Sequence, residues 1–600
     1  MNAASSTPIR DPRYAARAYA IDHRPDGGLV ITNDAPFFKE FTTTNAALDY
    51  WARTAPDRVW LAERSGAGWR RLTFGEAGEA IATLAGALAD LGLGPGKPLL
   101  ILARNSIDHA LISYAAMRLG APVAPVSPRY GQRGADLSRL VHAVALIGPA
   151  AVYVADAAEA VEALDSPALR GVVVIAGKSA RPGDRLFANL LGEGYPLPDQ
   201  ARPDQVAKLM LTSGSTGRPK AVICTHHNIA FNAAQSAACF DDPESPVAVN
   251  AAPWNHSLGG NAVLHTLLHR GGALHIDAGQ PVPGRFGETL RNLREVSTTY
   301  HIMVPAGWAL LADELDRDAA LARVFFRRVR ILQYGGAGLS QNLCDRVQAV
   351  ALRTVGEQIT FGAGYGSTET GPTACNVHWT NLRAAMIGLP LPGTSIKLVP
   401  QDGKFEICVR GPQVSPGYFD AQAAAGEVKA LPLDQDGYCR MGDAAKLIDP
   451  AQPQMGLAFD GRLAENFKLA TGAFVNAGGL RLAALSALGG AVLDAVVCGE
   501  GRQGVGLMLF VDPTQRERLG EGGLRDQIRS GLGRLNAVAA GLGGNIARAL
   551  ILDDLPDADS GELTDKGYIN QALARSRRAA QIDRLFAELA DPGVIVPDGR

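Results

Sequence analysis

Between two apolar runs, "VAKLM" and "AVIC", residues 211–220 read "LTSGSTGRPK", a stretch dense in hydroxyls, glycine and positive charge. Glycines let backbone N–H groups close on an anion. Ser213, Ser215 and Thr216 add donors, and Lys220 adds a point charge. A strand, then a loop of small residues, then a helix is the layout expected of such a phosphate site. It is not a Walker A loop, because Pro219 precedes the lysine and Ala221 follows it. The plainer reading is a flexible Ser/Gly turn, but Pro219-Lys220 and the flanking apolar runs exceed what a linker needs.

Further along lie other groups with chemical potential. "PWNHSLGG" carries His256, Gly259 and Gly260; "YGGAGLS" carries Tyr334, Gly335, Gly336 and Ala337. "GYGSTET" carries Gly364, Tyr365, Gly366, Thr368 and Glu369. It is no dinucleotide fingerprint, since Ser367 stands where a third glycine is needed. "YCRMGDAAKLID" carries Asp443, "FDGRLAENFKL" carries Arg462 and Lys468, and "SGELTDKGYI" carries Lys566. Taken singly, each has a plain alternative. A buried tyrosine is usually core, an aspartate after glycine often caps a helix, and Lys468 and Lys566 alone read as solvated charges.

The elements that must position these groups follow from the hydrophobic pattern. "PLLILARNSIDHALISYAAMRLGAPVAPV" predicts a strand at 99–103, a helix at 106–119 and a short strand at 122–126. Similar short apolar runs, "GVVVIA", "GALHI", "TYHIMVP", "VRILQYGG" and "QITFGAGYG", alternate with helical stretches. That grammar predicts an α/β fold with a large N-terminal domain of parallel-rich sheets. After about residue 395, alternation with turn residues predicts a small antiparallel β unit. A smaller α+β piece follows, with a "LDAVVCGE…VGLMLFVD" strand pair. The expected domains are 1–461 and 462–600, and residues 1 to about 40 read as an extended arm.

Bulk numbers exclude several classes. At 600 residues the chain exceeds one hydrophobic core. A formal charge of −2 gives no reason to expect a nucleic-acid or membrane surface as partner, and leaves local basic patches open. Seven scattered cysteines without a CxxC pair indicate neither zinc ribbon nor redox dithiol, and suit a reducing compartment. No signal peptide or membrane span is read, so the expected localisation is cytoplasmic.

Together the motifs, in this order over residues 212–566, resemble the adenylate-forming (acyl-CoA synthetase) superfamily. The resemblance implies a catalytic lid that swings, and ATP, Mg²⁺ and coenzyme A as cofactors. It implies that Thr212, Ser213, Gly214, Ser215, Thr216, Gly217 and Lys220 hold the β- and γ-phosphates. Gly335, Gly336 and Ala337 would lie against adenine, as would Gly364, Tyr365 and Gly366, with Tyr365 stacked on the ring. Thr368 would touch the α-phosphate and Glu369 would bind the metal. Asp443 and Arg462 would hold the ribose. His256 would gate the acyl pocket, Lys566 would grip the reacting carboxylate, and Lys468 would serve the thioester step. Backbone amides near Gly472, Gly478 and Gly479 are candidate coenzyme A contacts.

At the pivot, where the family usually has Asp or Lys, stands Ala464 with Glu465 beside it. Downstream, "GRLAENFKLATGAFVNAGGLR", "MGDAAKLIDPAQPQMGLAFDGR" and "ELTDKGYINQ" resemble the bacterial feruloyl-CoA synthases. That branch implies ligation of ferulate, p-coumarate or caffeate to coenzyme A. Another aromatic or fatty acid, a carrier-protein acceptor and a non-catalytic nucleotide-binding role remain alternatives. Oligomeric state is open, with a homodimer among the options. Small residues at 259, 260, 335 and 364 suggest room for a flat ring; no polar reader of a ring substituent is evident.

Overall fold

The protein is described by a computed structural model covering residues 7–37, 41–213, 219–282, 284–336, 338–401, 404–423, 428–538, 545–556, 562, 569–587 and 591–598. Lys566, Ala337 and residues 214–217 of the expected site lie outside the described residues.

Short apolar strands become buried parallel strands. Leu99–Leu102 lies between Val123–Pro125 and Ala151–Asp156, parallel to both. Helix Ile107–Arg118 follows it, capped by the Ser106 side chain, which accepts from the His109 N–H. Nearly every residue of that helix is buried, so it has no polar face to announce it. These strands belong to an eight-stranded sheet that also holds Val206–Ser213 and Pro219–Thr225.

Here the expected strand–loop–helix layout is corrected. Val206–Ser213 and Pro219–Thr225 pair antiparallel as a hairpin, and the helix, His226–Ala237, begins only after the second strand. The run "AVIC" is wholly buried, and in a sheet its backbone polar groups find partners on both sides.

A second sheet has eleven strands and is mixed. Tyr300–Met303, Ile331–Tyr334 and Thr360–Tyr365 are parallel neighbours. Cys375–Asn376 and Met386–Pro390 then continue the same sheet antiparallel. The β unit after residue 395 is therefore not a separate sheet: Ser395–Gln401, Lys404–Arg410, Cys439–Leu447 and Leu457–Arg462 extend it. The expected N-terminal arm is likewise corrected. Tyr19–His23 and Leu29–Asn33 form its outermost strands, the second pairing with Ser395–Gln401. Leu29–Asn33 alternates buried and half-buried residues, a period-two pattern too short to stand out in sequence.

Beyond Arg462, a separate apolar cluster gathers residues from Phe467 to Ile595. Its sheet pairs Val492–Cys498 antiparallel with Val505–Val511, and the latter parallel with Ile546–Ile551. Among the described residues no helix is long and apolar enough to cross a membrane.

The parallel strands of the mixed sheet are held from one side by Trp308, fully buried, whose Nε1–H donates to the Gln333 carbonyl at 2.8 Å. Its ring meets that of Phe361 edge-on at 5.0 Å. Trp308→Ala removes packing and a hydrogen bond together, and should cost about 3–5 kcal/mol of stability, read by urea unfolding with an unchanged m-value.

Candidate active site

Strand Thr360–Tyr365 delivers the "GYGSTET" residues, and the turn after it is forced by crowding. A Cβ on Gly366 would stand 2.5 Å from the Gly371 carbonyl oxygen, so only glycine fits. Ser367 and Thr370 close the turn, the Ser367 N–H donating to Thr370 Oγ1 at 2.9 Å. Thr368 and Glu369 sit on its tip. Thr368 Oγ1 donates to Ser257 Oγ at 3.2 Å, which brings the "PWNHSLGG" segment to the "GYGSTET" turn.

Glu369 is buried and accepts from the Tyr418 hydroxyl at 3.3 Å. Burial and the neighbouring carboxylate push the Tyr418 phenol well above its ordinary value, so it stays a donor. The Tyr418 ring also carries Lys220, whose Nζ lies 5.0 Å from its centroid. One tyrosine, which sequence reasoning missed, thus joins the lysine of the glycine-rich hairpin to the carboxylate of the turn. Thr212 and Ser213 end the first strand of that hairpin, with Thr212 opposite Lys220 in register.

Tyr365 is buried, and its hydroxyl donates to Asp443 Oδ2 at 3.0 Å. Asp443 and Arg462 are direct cross-strand partners, so the register of two antiparallel strands sets their approach. Arg462 Nε lies 3.2 Å from Asp443 Oδ1, yet that buried oxygen accepts no well-aligned hydrogen bond among the described residues. A buried carboxylate oxygen in that state fits a ligand that brings hydroxyl donors. Gly336 has a left-handed backbone, φ 83°, at the turn after strand Ile331–Tyr334.

A cavity of about 130 Å³ opens beside these groups. Tyr334, Gly335, Gly336, Gly364 and Gly366 line it, with Ser257, Leu258 and Val263 opposite. Gly335 and Gly364 leave space: an added Cβ would meet its nearest neighbour at 3.5 and 3.4 Å. Gly259 and Gly260 do not have that role, contrary to the expectation of ring space. Their added Cβ atoms would strike the carbonyl oxygens of Ala252 and Trp254 at 2.3 and 2.2 Å, so they permit close packing of a turn. That turn, Leu258–Val263, is a π-helix. His256 stands half-buried at its approach, its N–H donating to the Pro253 carbonyl at 3.1 Å; its neighbours Ser257 and Leu258 make the wall.

The cavity also reaches a polar edge that sequence reasoning did not name. Tyr300 Oη donates to Gln333 Oε1 at 2.7 Å, and Gln333 Nε2 donates to Asn376 Oδ1 at 3.2 Å. These three residues lie on three strands of the mixed sheet, with Thr360–Tyr365 between the strands of Gln333 and Asn376, and all three line the cavity. No short motif holds them, since they are brought together only by strand pairing.

Lys468 is exposed on a two-stranded hairpin with Phe474 opposite. The Gly479 N–H already donates to Asn476 Oδ1 at 3.0 Å, and Gly478 packs on Gly461, where an added Cβ would come within 2.8 Å of its Cα. In this arrangement neither glycine offers an open cradle, whereas nothing lies within 4 Å of a Cβ on Gly472.

Burial raises the Asp443 carboxyl above its ordinary value, and Arg462 opposes that rise. A carboxyl raised in the folded state contributes stability below its unfolded value that is lost as pH climbs. Without Arg462 only the Tyr365 hydrogen bond opposes the rise. Arg462→Ala should therefore lower Tm more near pH 7 than near pH 4. The guanidinium side chain is 61% exposed, so the loss should stay under about 1 kcal/mol. On an Asp443→Asn background the pH dependence of that difference should vanish in the same thermal scans.

Comparison with known proteins agrees with this geometry. Residues 48–419 match the AMP-binding enzyme family, and 469–590 match the AMP-binding enzyme C-terminal domain. The chain is 29% identical over 462 residues to a salicyl-AMP ligase/salicyl-S-ArCP synthetase of Mycobacterium tuberculosis, covering 71% of this chain and 76% of that protein. It is 30% identical over 390 residues to a feruloyl-CoA synthase of an Amycolatopsis species, covering 63% and 72%. Among solved structures, the A domain of a carboxylic acid reductase from Segniliparus rugosus, in complex with AMP, superposes with TM-score 0.73 at 19% identity. That likeness covers 91% of this chain and 94% of the other. An O-succinylbenzoate coenzyme A synthetase of Bacillus subtilis gives 0.65 at 21% identity, covering 87% and 99%. The chain belongs to the AMP-binding enzyme family, as an adenylate-forming acid ligase.

Proposed function

We propose that this ligase activates a hydroxycinnamic acid such as ferulate, p-coumarate or caffeate. In the first step the acid's carboxylate oxygen attacks the α-phosphorus of ATP; the bond to the β-phosphate oxygen breaks, giving acyl-AMP and pyrophosphate. In the second the coenzyme A thiol, losing its proton, attacks the acyl carbon and AMP departs. The observation that carries the reading is the polar edge of the cavity. Tyr300, Gln333 and Asn376 form a hydrogen-bonded edge to a glycine-opened slot walled by Leu258, Val263 and Ile302, which suits a flat ring bearing a hydroxyl; Asp242, Glu244, Arg270 and Arg330 also line it. Likeness to feruloyl-CoA synthases and to 4-coumarate–CoA ligases supports it.

In this reading Asp443 accepts from the ribose hydroxyls beside Arg462, and Tyr365 faces adenine. Lys220, with Thr212, Ser213 and residues 214–217, holds the outer phosphates, while Thr368 donates to the α-phosphate. Such donors act where charge builds in the transition state. Glu369 is a single buried carboxylate, which fits Mg²⁺ held jointly with nucleotide phosphates rather than in a protein cage. Among the described residues no group of three or more His, Cys, Asp or Glu gathers as such a cage. Bound there, Mg²⁺ would neutralise phosphate charge. Residues 462–600 act as the lid that brings Lys566 to the carboxylate and then turns near Ala464 to admit the thiol. A cytoplasmic setting suits the seven buried, unpaired cysteines.

A salicylate-type or other aromatic acid is the second reading, favoured by the salicyl-AMP ligase relative. A panel of acids in pyrophosphate exchange separates the two: exchange with salicylate or decanoate several-fold faster than with ferulate would discard the hydroxycinnamate reading. Gln333→Leu should lower the preference for p-coumarate over cinnamate in kcat/KM by about 10-fold, the worth of one hydrogen bond to a hydroxyl. An unchanged ratio would remove Gln333 from that role. Lys566→Ala should lose ferulate-dependent exchange yet still convert supplied feruloyl-AMP and coenzyme A to the thioester, followed by absorbance.

A further inference from the structure

Lys208 is a lysine with no place in the chemistry above. It lies on strand Val206–Ser213, four residues before Thr212, and is 4% exposed. Lysine is almost never buried so fully without a partner. Its Nζ lies 2.6 Å from the Gly260 carbonyl oxygen, 3.3 Å from Asn261 Oδ1 and 2.9 Å from His265 Nε2. An ammonium has three N–H donors, and three acceptors stand here. Two belong to the π-helical turn Leu258–Val263 and the third to the helix that continues it, Leu264–His269. That turn carries Leu258, Ala262 and Val263 on the cavity wall, and follows Ser257, the partner of Thr368. On its other side Gly259 and Gly260 are pressed against the backbone of residues 252–254. The turn is thus clamped between a backbone wall and one amine. π-Helical turns are rare and poorly bonded internally, so an external donor into one has a positional effect.

We propose that Lys208 is a positioning residue for the acid substrate: anchored on the strand that runs into the phosphate-binding hairpin, it holds the π-turn that walls the acyl cavity. The inference rests on reading that cavity as the acyl site.

The environment of the amine makes this testable. Burial lowers its pKa to about 7, with no carboxylate to oppose it. The groups around it are Cys224 on strand Pro219–Thr225 and His226 at the start of the following helix. His265 packs from Leu264–His269, and His109 and Tyr114 from helix Ile107–Arg118. The histidines are all lowered by burial and stay neutral near pH 7, and the Cys224 thiol is raised to about 12. His265 passes the contact on, its Nδ1 lying 3.1 Å from the Tyr114 hydroxyl. Neutral Lys208 keeps only two N–H donors, so the His265 contact must reverse, with Nε2–H donating to the amine.

A lysine lowered in the folded state makes the unfolded chain hold more protons above about pH 7, so stability rises from there as pH climbs towards the unfolded value. Lys208→Met should abolish that rise in Tm between about pH 7 and 9. In steady-state assays it should raise KM for the acid about 10-fold while KM for ATP stays within about twofold. The acid used is whichever one supports pyrophosphate exchange in the wild type, so the hydroxycinnamate reading can fail while this one stands. Asn261→Leu, which keeps Lys208 and removes one acceptor, should raise the same KM about threefold and covers the case in which Lys208→Met does not fold. An unchanged KM for the acid in the folded variants would overturn the proposal. So would a fall in kcat alone, the mark of a smaller active fraction.

Discussion

One tight reversal governs the geometry of this enzyme. Strand Thr360–Tyr365 runs parallel to its neighbour on one side and is met antiparallel by Cys375–Asn376 on the other, with Gly364 opposite Asn376. The chain must turn back within a few residues, and Gly366 permits it by letting the Gly371 carbonyl approach closer than any Cβ allows. The tip of that turn presents Thr368 and Glu369. Its return strand presents Asn376 to the cavity, and Tyr365 at its base meets Asp443. The groups at the turn's tip, at its base and on the cavity wall are therefore spaced by a single backbone device.

Around the turn the polar groups are tied in short chains. Lys220 and Glu369 share Tyr418; Tyr365 and Arg462 share Asp443; Tyr300 and Asn376 share Gln333. The shared residues Tyr418, Asp443 and Gln333 are buried, which makes a missing partner there costly. A site built this way is oriented before substrate arrives, which is what stabilisation of a phosphoryl-transfer transition state requires. Lys208 extends the pattern below the surface, where its amine fastens a turn that its own backbone holds weakly.

Local patterning made much of the architecture legible. Short apolar runs announced parallel strands, as at Leu99–Leu102, because a strand buried on both faces needs no polar side. The same reading placed helix Ile107–Arg118 to within one residue at each end, and failed at residues 19–33. There, strand Leu29–Asn33 depends on pairing with the remote strand Ser395–Gln401, and among the described residues Tyr19–His23 pairs only with Leu29–Asn33. The hairpin at Pro219–Thr225 was misread because a glycine-rich loop after a strand suggests a helix, while the buried partner strands that decide otherwise are remote.

For the site, the sequence by itself determined the residue types and their order: glycine-rich hairpin, "GYGSTET", Asp443, Arg462. Chemistry of phosphate and ribose needs fixed donors, a cation and a carboxylate, and these are carried in contiguous motifs. Tertiary structure alone decided which remote residues meet around the cavity. Tyr300, Gln333 and Asn376 come from three strands, Tyr418 joins two motifs through its ring and hydroxyl, and Lys208 reaches a turn about fifty residues away. Contacts across strands depend on register and burial, which are properties of the whole sheet rather than of any short run of residues.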